Sequence, residues 1–308
     1  MTNLRIGTRR SALAMAQARS VGDGLARAGR HAEIVGVTTQ GDRTSASLAQ
    51  IGGTGVFVSV LRDRLLAGDI DVAVHSLKDL PTELAPGLRV AAVPPREDPR
   101  DVLAARDGKA GRAFRELPEG SRVGTGSPRR TAQLRLARPD LKIEDLRGNV
   151  DTRLAKVAAG ELDAVVLARA GLARLGRLDE ATEALDPDLM VPAPGQGALA
   201  VECRGDDHGT ARLLGVLDDS PTRAAVTAER AVLAALEAGC SAPVGAYAEA
   251  AEHGTRLHLR AAVISVDGAA SVRLSTTGPL DAAGDLGRGL ATDLLAEGAA
   301  ALMGERVR

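Results

Sequence analysis

Aromatic side chains are nearly absent from this 308-residue chain, which has two phenylalanines, one tyrosine and no tryptophan. So few rings exclude a protein that holds single-stranded nucleic acid by stacking on its bases. The cores must instead be built from Ala, Val and Leu, which the 44% hydrophobic content supplies. Excess charge of one sign is also lacking, since 39 Lys and Arg face 40 Asp and Glu. That balance removes the electrostatic case for coating DNA or an anionic membrane. Cysteine occurs twice, as Cys203 and Cys240, which makes neither a disulfide framework nor a zinc pattern. The five histidines show no metal-ligand spacing, and no metal is expected. No stretch approaches the ~18 uninterrupted apolar residues of a membrane span. Residues 1–6 carry no apolar core of signal-peptide length. The expectation is a cytoplasmic protein with no nucleic-acid or membrane partner.

What the chain does contain is strand-helix alternation. A length of 308 residues allows roughly two to three domains. Strands are expected at Leu4–Thr8, Glu33–Thr38, Ile70–Val74 and Leu88–Val93, with helices after the first two; this alternation predicts a parallel sheet covered by helices. Ser11 reads as the N-cap of the first helix. The glycine-rich loop Ile51–Gly55 lacks the lysine-bearing order of a phosphate-binding loop. Pro94–Asp101 is stiff and charged and reads as a hinge or crossing. The grammar then repeats, with strands at 122–125, 142–146 and 164–168, and Val191–Gly197 as the crossing back to a strand at 198–202. A helix at Thr222–Ala238, strands at 257–266 and 271–277, and one long helix over Asp281–Leu302 read as a small α+β domain. The expected organisation is domain 1 at 1–95 with 196–216 returning, domain 2 at 96–195 and domain 3 at 217–308.

The chemistry concentrates where strands end. After the apolar run Ile70–Val74 the chain turns polar within five residues, through His75, Ser76, Lys78 and Asp79, and Pro81 stops any helix. In open α/β sheets ligands bind beyond the carboxyl ends of the strands. Asp79 there is a candidate acid, or else one half of a solvated Lys-Asp turn. Arg9, Arg10, Ser11, Ser127, Arg129, Arg130, Arg147, Arg153 and Arg174 also fall at or just after strand ends. Helix N-termini present free N–H groups there, and arginine adds bidentate recognition of carboxylate or phosphate. One by one these arginines read first as surface ion pairs. Their like placement in two lobes points to a ligand with several negative charges held in a cleft between them. Cys203 reads as a small buried hydrophobe. Cys240, in a Gly/Ser/Pro-bounded loop, is a candidate nucleophile if cations surround it.

Seven motifs, in order, resemble the porphobilinogen deaminase (hydroxymethylbilane synthase) family. They are Ile6-Gly7-Thr8-Arg9-x-Ser11-x-Leu13-Ala14-x-x-Gln17, Val74–Pro81, Glu97–Asp101, Gly124-Thr125-x-Ser127-x-Arg129-Arg130, Leu146-Arg147-Gly148-Asn149-Val150-x-Thr152-Arg153-Leu154, Gly195–Gly197, and Gly239-Cys240-x-x-Pro243-x-Gly245. The resemblance implies two doubly wound parallel-sheet α/β lobes like those of a periplasmic binding protein, plus a small α+β C-terminal domain. It implies a transferase of tetrapyrrole (porphyrin and heme) biosynthesis, working as a monomer on porphobilinogen. Four units are deaminated and coupled head to tail on a covalent dipyrromethane cofactor, and water releases the linear tetrapyrrole. By the same resemblance, Cys240 carries the cofactor as a thioether and Asp79 is catalytic. Ser76, Lys78, Ser127, Arg129, Arg130, Arg147 and Arg153 would bind the cofactor, and Arg9, Ser11, Arg174 and Gln196 the substrate. Each pyrrole's acetate and propionate would account for the arginines. The family often has lysine at the position of Thr54 and serine at that of Gly126. A two-lobed polyanion-binding protein without catalysis would use the same arginines but leaves the loop cysteine without a role; the intact mass of the purified protein separates the two.

Overall fold

The computed structural model describes residues 3–38, 55–83, 85–106, 113–239 and 241–304. The chain divides into two compact units, Met1–Glu97 with Ala198–Arg223, and Asp98–Gly197 with Ala224–Arg308. Along the first run lie β1 (Leu4–Arg9), α1 (Ala12–Arg27), β2 (Ala32–Val37), α2 (Gly55–Leu66), β3 (Val72–Ser76) and β4 (Leu88–Ala92). Next come β5 (Asp101–Ala105), β6 (Arg122–Gly124), α3 (Pro128–Ala137), β7 (Lys142–Glu144), α4 (Val150–Ala158), β8 (Ala164–Ala168), α5 (Arg169–Arg174) and β9 (Glu183–Ala184). β10 (Leu199–Arg204) and α6 (His208–Leu214) return to the first unit, and α7 (Ser220–Ala235) follows. The chain closes with β11 (Val244–Ala251), β12 (Arg256–Ile264), β13 (Ser271–Pro279), α8 (Ala283–Ala296) and α9 (Ala299–Leu302).

The first sheet has the order β2-β1-β3-β10-β4 and the second β7-β6-β8-β5-β9. In the first, β1 runs parallel to β2 and β3, while β10 is antiparallel to β3 and β4. In the second, β6 is parallel to β7 and β8, while β5 is antiparallel to β8 and β9. The two sheets share one topology: mainly parallel, with a single antiparallel strand, in each case the first strand after the chain changes unit. Strand β3 lies in the middle of its sheet, so Val72, Ala73 and Val74 are all buried and read as an unbroken apolar run. Helix α1 lays Ala18, Val21 and Leu25, spaced three and four apart, against Ile6, Val72 and Val74.

The antiparallel sheet β11-β12-β13 packs its inward Ala and Leu residues on α7 and α8 in the core of the C-terminal part of the second unit. Three elements differ from the sequence expectation. Asp101, read as the end of a hinge, instead opens β5, whose five residues are all buried. β11 carries mostly Ala and Gly, which have little strand preference, and its pairing with β12 supplies what its composition lacks. The long C-terminal helix is broken after Ala296, where Gly298 takes φ +88° and starts α9. No described helix is long and apolar enough to cross a membrane.

Candidate active site

In the first unit, β1 and β3 are neighbouring parallel strands, so their carboxyl ends emerge together. At the end of β1 stands Arg9, half-buried, followed by Ser11, whose Oγ accepts the Ala14 N–H at 3.3 Å and caps α1. A capping hydroxyl uses an oxygen lone pair, and its own proton remains to be donated to an anion. At the end of β3, Ser76 Oγ accepts a 2.8 Å hydrogen bond from the buried amide of Gln17. Gln17 sits within a recognised motif, yet only the tertiary contact shows its work, which is to orient Ser76 from α1.

Leu77–Asp79 forms one tight turn. It is pinned by burial of Leu77 and Leu80 and by the Leu77 N–H to Ala198 carbonyl bond of 3.0 Å. That leaves Lys78 half-buried and Asp79 exposed. Among the described residues, the Asp79 carboxylate has neither a hydrogen bond nor an ion pair. Directly beneath the turn lies a buried charged group. His75 Nε2 is 3.1 Å from Glu202 Oε2, and Arg62 grips the same carboxylate through Nε (3.1 Å) and Nη2 (2.8 Å). Burial pushes the Glu202 carboxyl up, but His75 and Arg62 outweigh it and hold it down at about 2.

In the second unit, Ser127 caps α3, accepting the Arg130 N–H at 3.4 Å, with Pro128 in the first turn. Both arginines of that turn point inward and are 4–5% exposed. They meet on Asp101: Arg129 Nη2 reaches Oδ2 at 2.7 Å, and Arg130 Nη2 and Nε reach Oδ1 at 2.7 and 3.2 Å. Gln196, fully buried, adds its amide N–H to Oδ1 at 2.8 Å and to the Pro99 carbonyl at 2.7 Å. Burial raises the Asp101 carboxyl, yet Arg129 and Arg130 hold it well below the usual carboxylate range. The turn bearing Gln196 is fastened from α7, where buried Glu229 accepts the Gly195 N–H at 2.7 Å and the Ala248 N–H at 2.8 Å. The same turn offers the Gly197 carbonyl to Arg174 Nη2 at 2.6 Å.

Arg147 follows β7, and Arg153 lies in the first turn of α4, which Asn149 caps through a 2.8 Å bond from the Thr152 N–H. Arg153 Nε donates to the Gly148 carbonyl at 2.9 Å. Burial, then repulsion from Arg130 and Arg147, pulls the Arg153 guanidinium down to about 10, with Asp145 opposing only in part. Asp145 is largely exposed and 3.5 Å from Arg147. The turns after β6 and β7 lie side by side, the Leu146 N–H donating to the Thr125 carbonyl at 3.3 Å; Arg130 there is paired with Asp101, whereas Arg147 and Arg153 have little acidic company, the chemistry of a site for a carboxylate. Gly126 fits the same place, since a β-carbon there would meet the Leu146 carbonyl oxygen at 2.7 Å. This backbone therefore has no room for a side chain at that position.

Cys203 is fully buried in β10, and burial pushes its thiol up, so it is no nucleophile. Cys240 and Thr54 lie outside the described residues. Of the residues expected to bind ligand, Ser127, Arg130, Arg147 and Arg153 follow the neighbouring strands β6 and β7, and Arg129, Arg130 and Gln196 are all bonded to Asp101. The fold and these strand ends define an α/β protein of two mixed-sheet units with a cationic cluster suited to a carboxylate-rich molecule.

Residues 4–212 match the family profile described as "Porphobilinogen deaminase, dipyromethane cofactor binding domain", and residues 223–296 match "Porphobilinogen deaminase, C-terminal domain". The chain belongs to the porphobilinogen deaminase family. It is 57% identical over 317 residues to porphobilinogen deaminase 1 of Streptomyces coelicolor, covering 99% of this chain and 98% of that protein. To porphobilinogen deaminase of Thermobifida fusca it is 57% identical, covering 97% and 95%, and to that of Mycobacterium tuberculosis 54%, covering 97% and 98%. Among solved structures, the methionine-binding protein MetQ is similar over 69% of this chain and 88% of its own, at 13% identity and a TM-score of 0.42.

Proposed function

We propose that this chain is a hydroxymethylbilane-forming transferase that removes ammonia from porphobilinogen and joins four units head to tail on a dipyrromethane cofactor. The observation that carries the reading is the placement of Arg147 and Arg153 beside the Ser127 turn, where the Leu146 N–H meets the Thr125 carbonyl and Asp145, 3.5 Å from Arg147, is largely exposed. A dipyrromethane bears acetate and propionate arms, and such arms fit this donor set. Cys240 would hold the cofactor, which would supply a free pyrrole carbon as the point of coupling.

The chain's own residues do the rest. Arg147 and Arg153 take carboxylates of the cofactor, with Ser76, Lys78 and the Ser127 hydroxyl adding donors; Arg129 and Arg130 bring positive charge behind them. Arg9, Ser11 and Arg174 serve the carboxylates of the incoming unit. Asp79 is exposed and has no partner among the described residues, as a carboxylate that must meet a substrate requires. It assists departure of the amine, which leaves protonated as the C–N bond breaks, and faces the positive charge on the pyrrole until the new C–C bond forms and the attacking pyrrole carbon gives up its proton. As part of the same reading the enzyme is a cytoplasmic monomer that binds no nucleic acid, which its balanced charge supports.

The test is the intact mass of the purified protein, alone and after mixing with porphobilinogen. An excess equal to one dipyrromethane, followed by a ladder of added pyrrole units, is expected. The bare polypeptide mass with no ladder would overturn the reading.

A further inference from the structure

Asp101 has no exposed surface, and three side chains from two separate stretches converge on it. Its Oδ1 takes both Nε and Nη2 of Arg130, and Nη1 of the same guanidinium donates to the Val166 carbonyl at 2.9 Å. All three nitrogens of Arg130 are therefore directed by buried acceptors, so its plane and depth are set. Asp101 carries one negative charge for two guanidiniums, so its neutralisation of Arg130 is incomplete. The turn that carries Arg130 lies beside the one that leads to Arg147 and Arg153, the Leu146 N–H donating to the Thr125 carbonyl at 3.3 Å. Gln196 completes the device by holding Oδ1 from a turn in which Gly195 and Gly197 adopt φ of +76° and +86°.

We propose that Asp101, supported by Gln196, is a positioning residue of the anion site: it touches no ligand and fixes where the Arg130 guanidinium stands relative to Arg147 and Arg153. The inference rests on the reading that this cluster receives the carboxylates of the cofactor and the growing product. A positioning role differs from a merely structural one in what it moves. Loss of a structural ion pair lowers stability alone. Loss of a positioning residue displaces a binding charge in protein that is still folded, and a displacement of about 1 Å costs on the order of 10²-fold.

The experiment uses the full chain as Asp101→Asn and as Gln196→Met, the second removing the amide's hold on Asp101 and on the Pro99 carbonyl and no charge. Thermal unfolding, the fraction of protein carrying the dipyrromethane mass, and KM and kcat are measured for each. In folded Asp101→Asn the loaded fraction is expected to drop about tenfold or more. In Gln196→Met, KM for porphobilinogen is expected to rise roughly tenfold, with kcat of the loaded fraction within about threefold of the parent, since no reacting group has moved. If Asp101→Asn does not fold, Gln196→Met decides the matter. Normal loading and normal KM in folded variants, with loss confined to thermal stability, would overturn the proposal and leave the proposed function standing. An unloaded parent protein that does not act on porphobilinogen would overturn both.

Discussion

Replacing Glu202 by glutamine removes the one negative charge that serves both Arg62 and His75 while nearly conserving volume. The carboxyl, ordinarily at 4.5, is held at about 2 by these neighbours despite its burial. At 1.36 kcal/mol per pH unit, that difference corresponds to about 3 kcal/mol of stability at neutral pH. Because the folded carboxyl titrates below the unfolded one, this stabilisation is complete above about pH 4.5 and is lost as the pH falls towards 2. Breaking a buried pair by removing one partner costs about 3–5 kcal/mol, in line with that figure.

The consequence reaches the turn that carries Asp79. His75 pairs with Ala200 and Ser76 with Leu199 in the β3–β10 ladder, and the Leu77 N–H holds the Ala198 carbonyl just beyond. Glu202→Gln should therefore lower the melting temperature at pH 7 by roughly 6–12 °C, and the gap to the parent should shrink steadily between pH 4.5 and 2. Calorimetry of both proteins across that range is the assay. A gap of the same size at pH 7 and pH 3 would refute the electrostatic account and leave only lost packing.

Three further outcomes are expected. Asp79→Asn should keep substrate binding while turnover falls by ~10²-fold or more; near-normal turnover in a steady-state assay would remove Asp79 from the chemistry. Cys240→Ser should fold yet carry no covalent adduct by intact mass, whereas Cys203→Ser should keep it; an adduct on Cys203 would reverse the assignment. Arg153→Leu should impair cofactor loading, because the proposed cofactor site loses a partly buried cation. A fully loaded Arg153→Leu protein would show Arg153 to be a surface charge, worth only about 0–1 kcal/mol.

Much of the site was legible in the chain itself. Ser11 and Ser127 stand one residue before helices that begin where strands have just ended, so their capping role follows from local pattern alone. The apolar run into β3 and the abrupt Ser76-Leu77-Lys78-Asp79 turn before Pro81 likewise need no distant partner to be read. The motifs from Ile6 to Gly245 carried the family. What pattern could not carry was pairing at long range. Gln17 and Ser76 are 59 residues apart, Arg62 and Glu202 are 140, and Asp101 and Gln196 are 95. No local periodicity encodes such contacts, because they form only when the sheet registers bring distant strands together. For that reason Asp101 read as the tail of a charged hinge, while burial in β5 makes it the shared counter-ion of Arg129 and Arg130. Sequence determined which side chains could bind a polyanion; tertiary structure decided that Arg129 and Arg130 are paired with a buried carboxylate while Arg147 and Arg153 are not, since burial and distance set how far a charge acts.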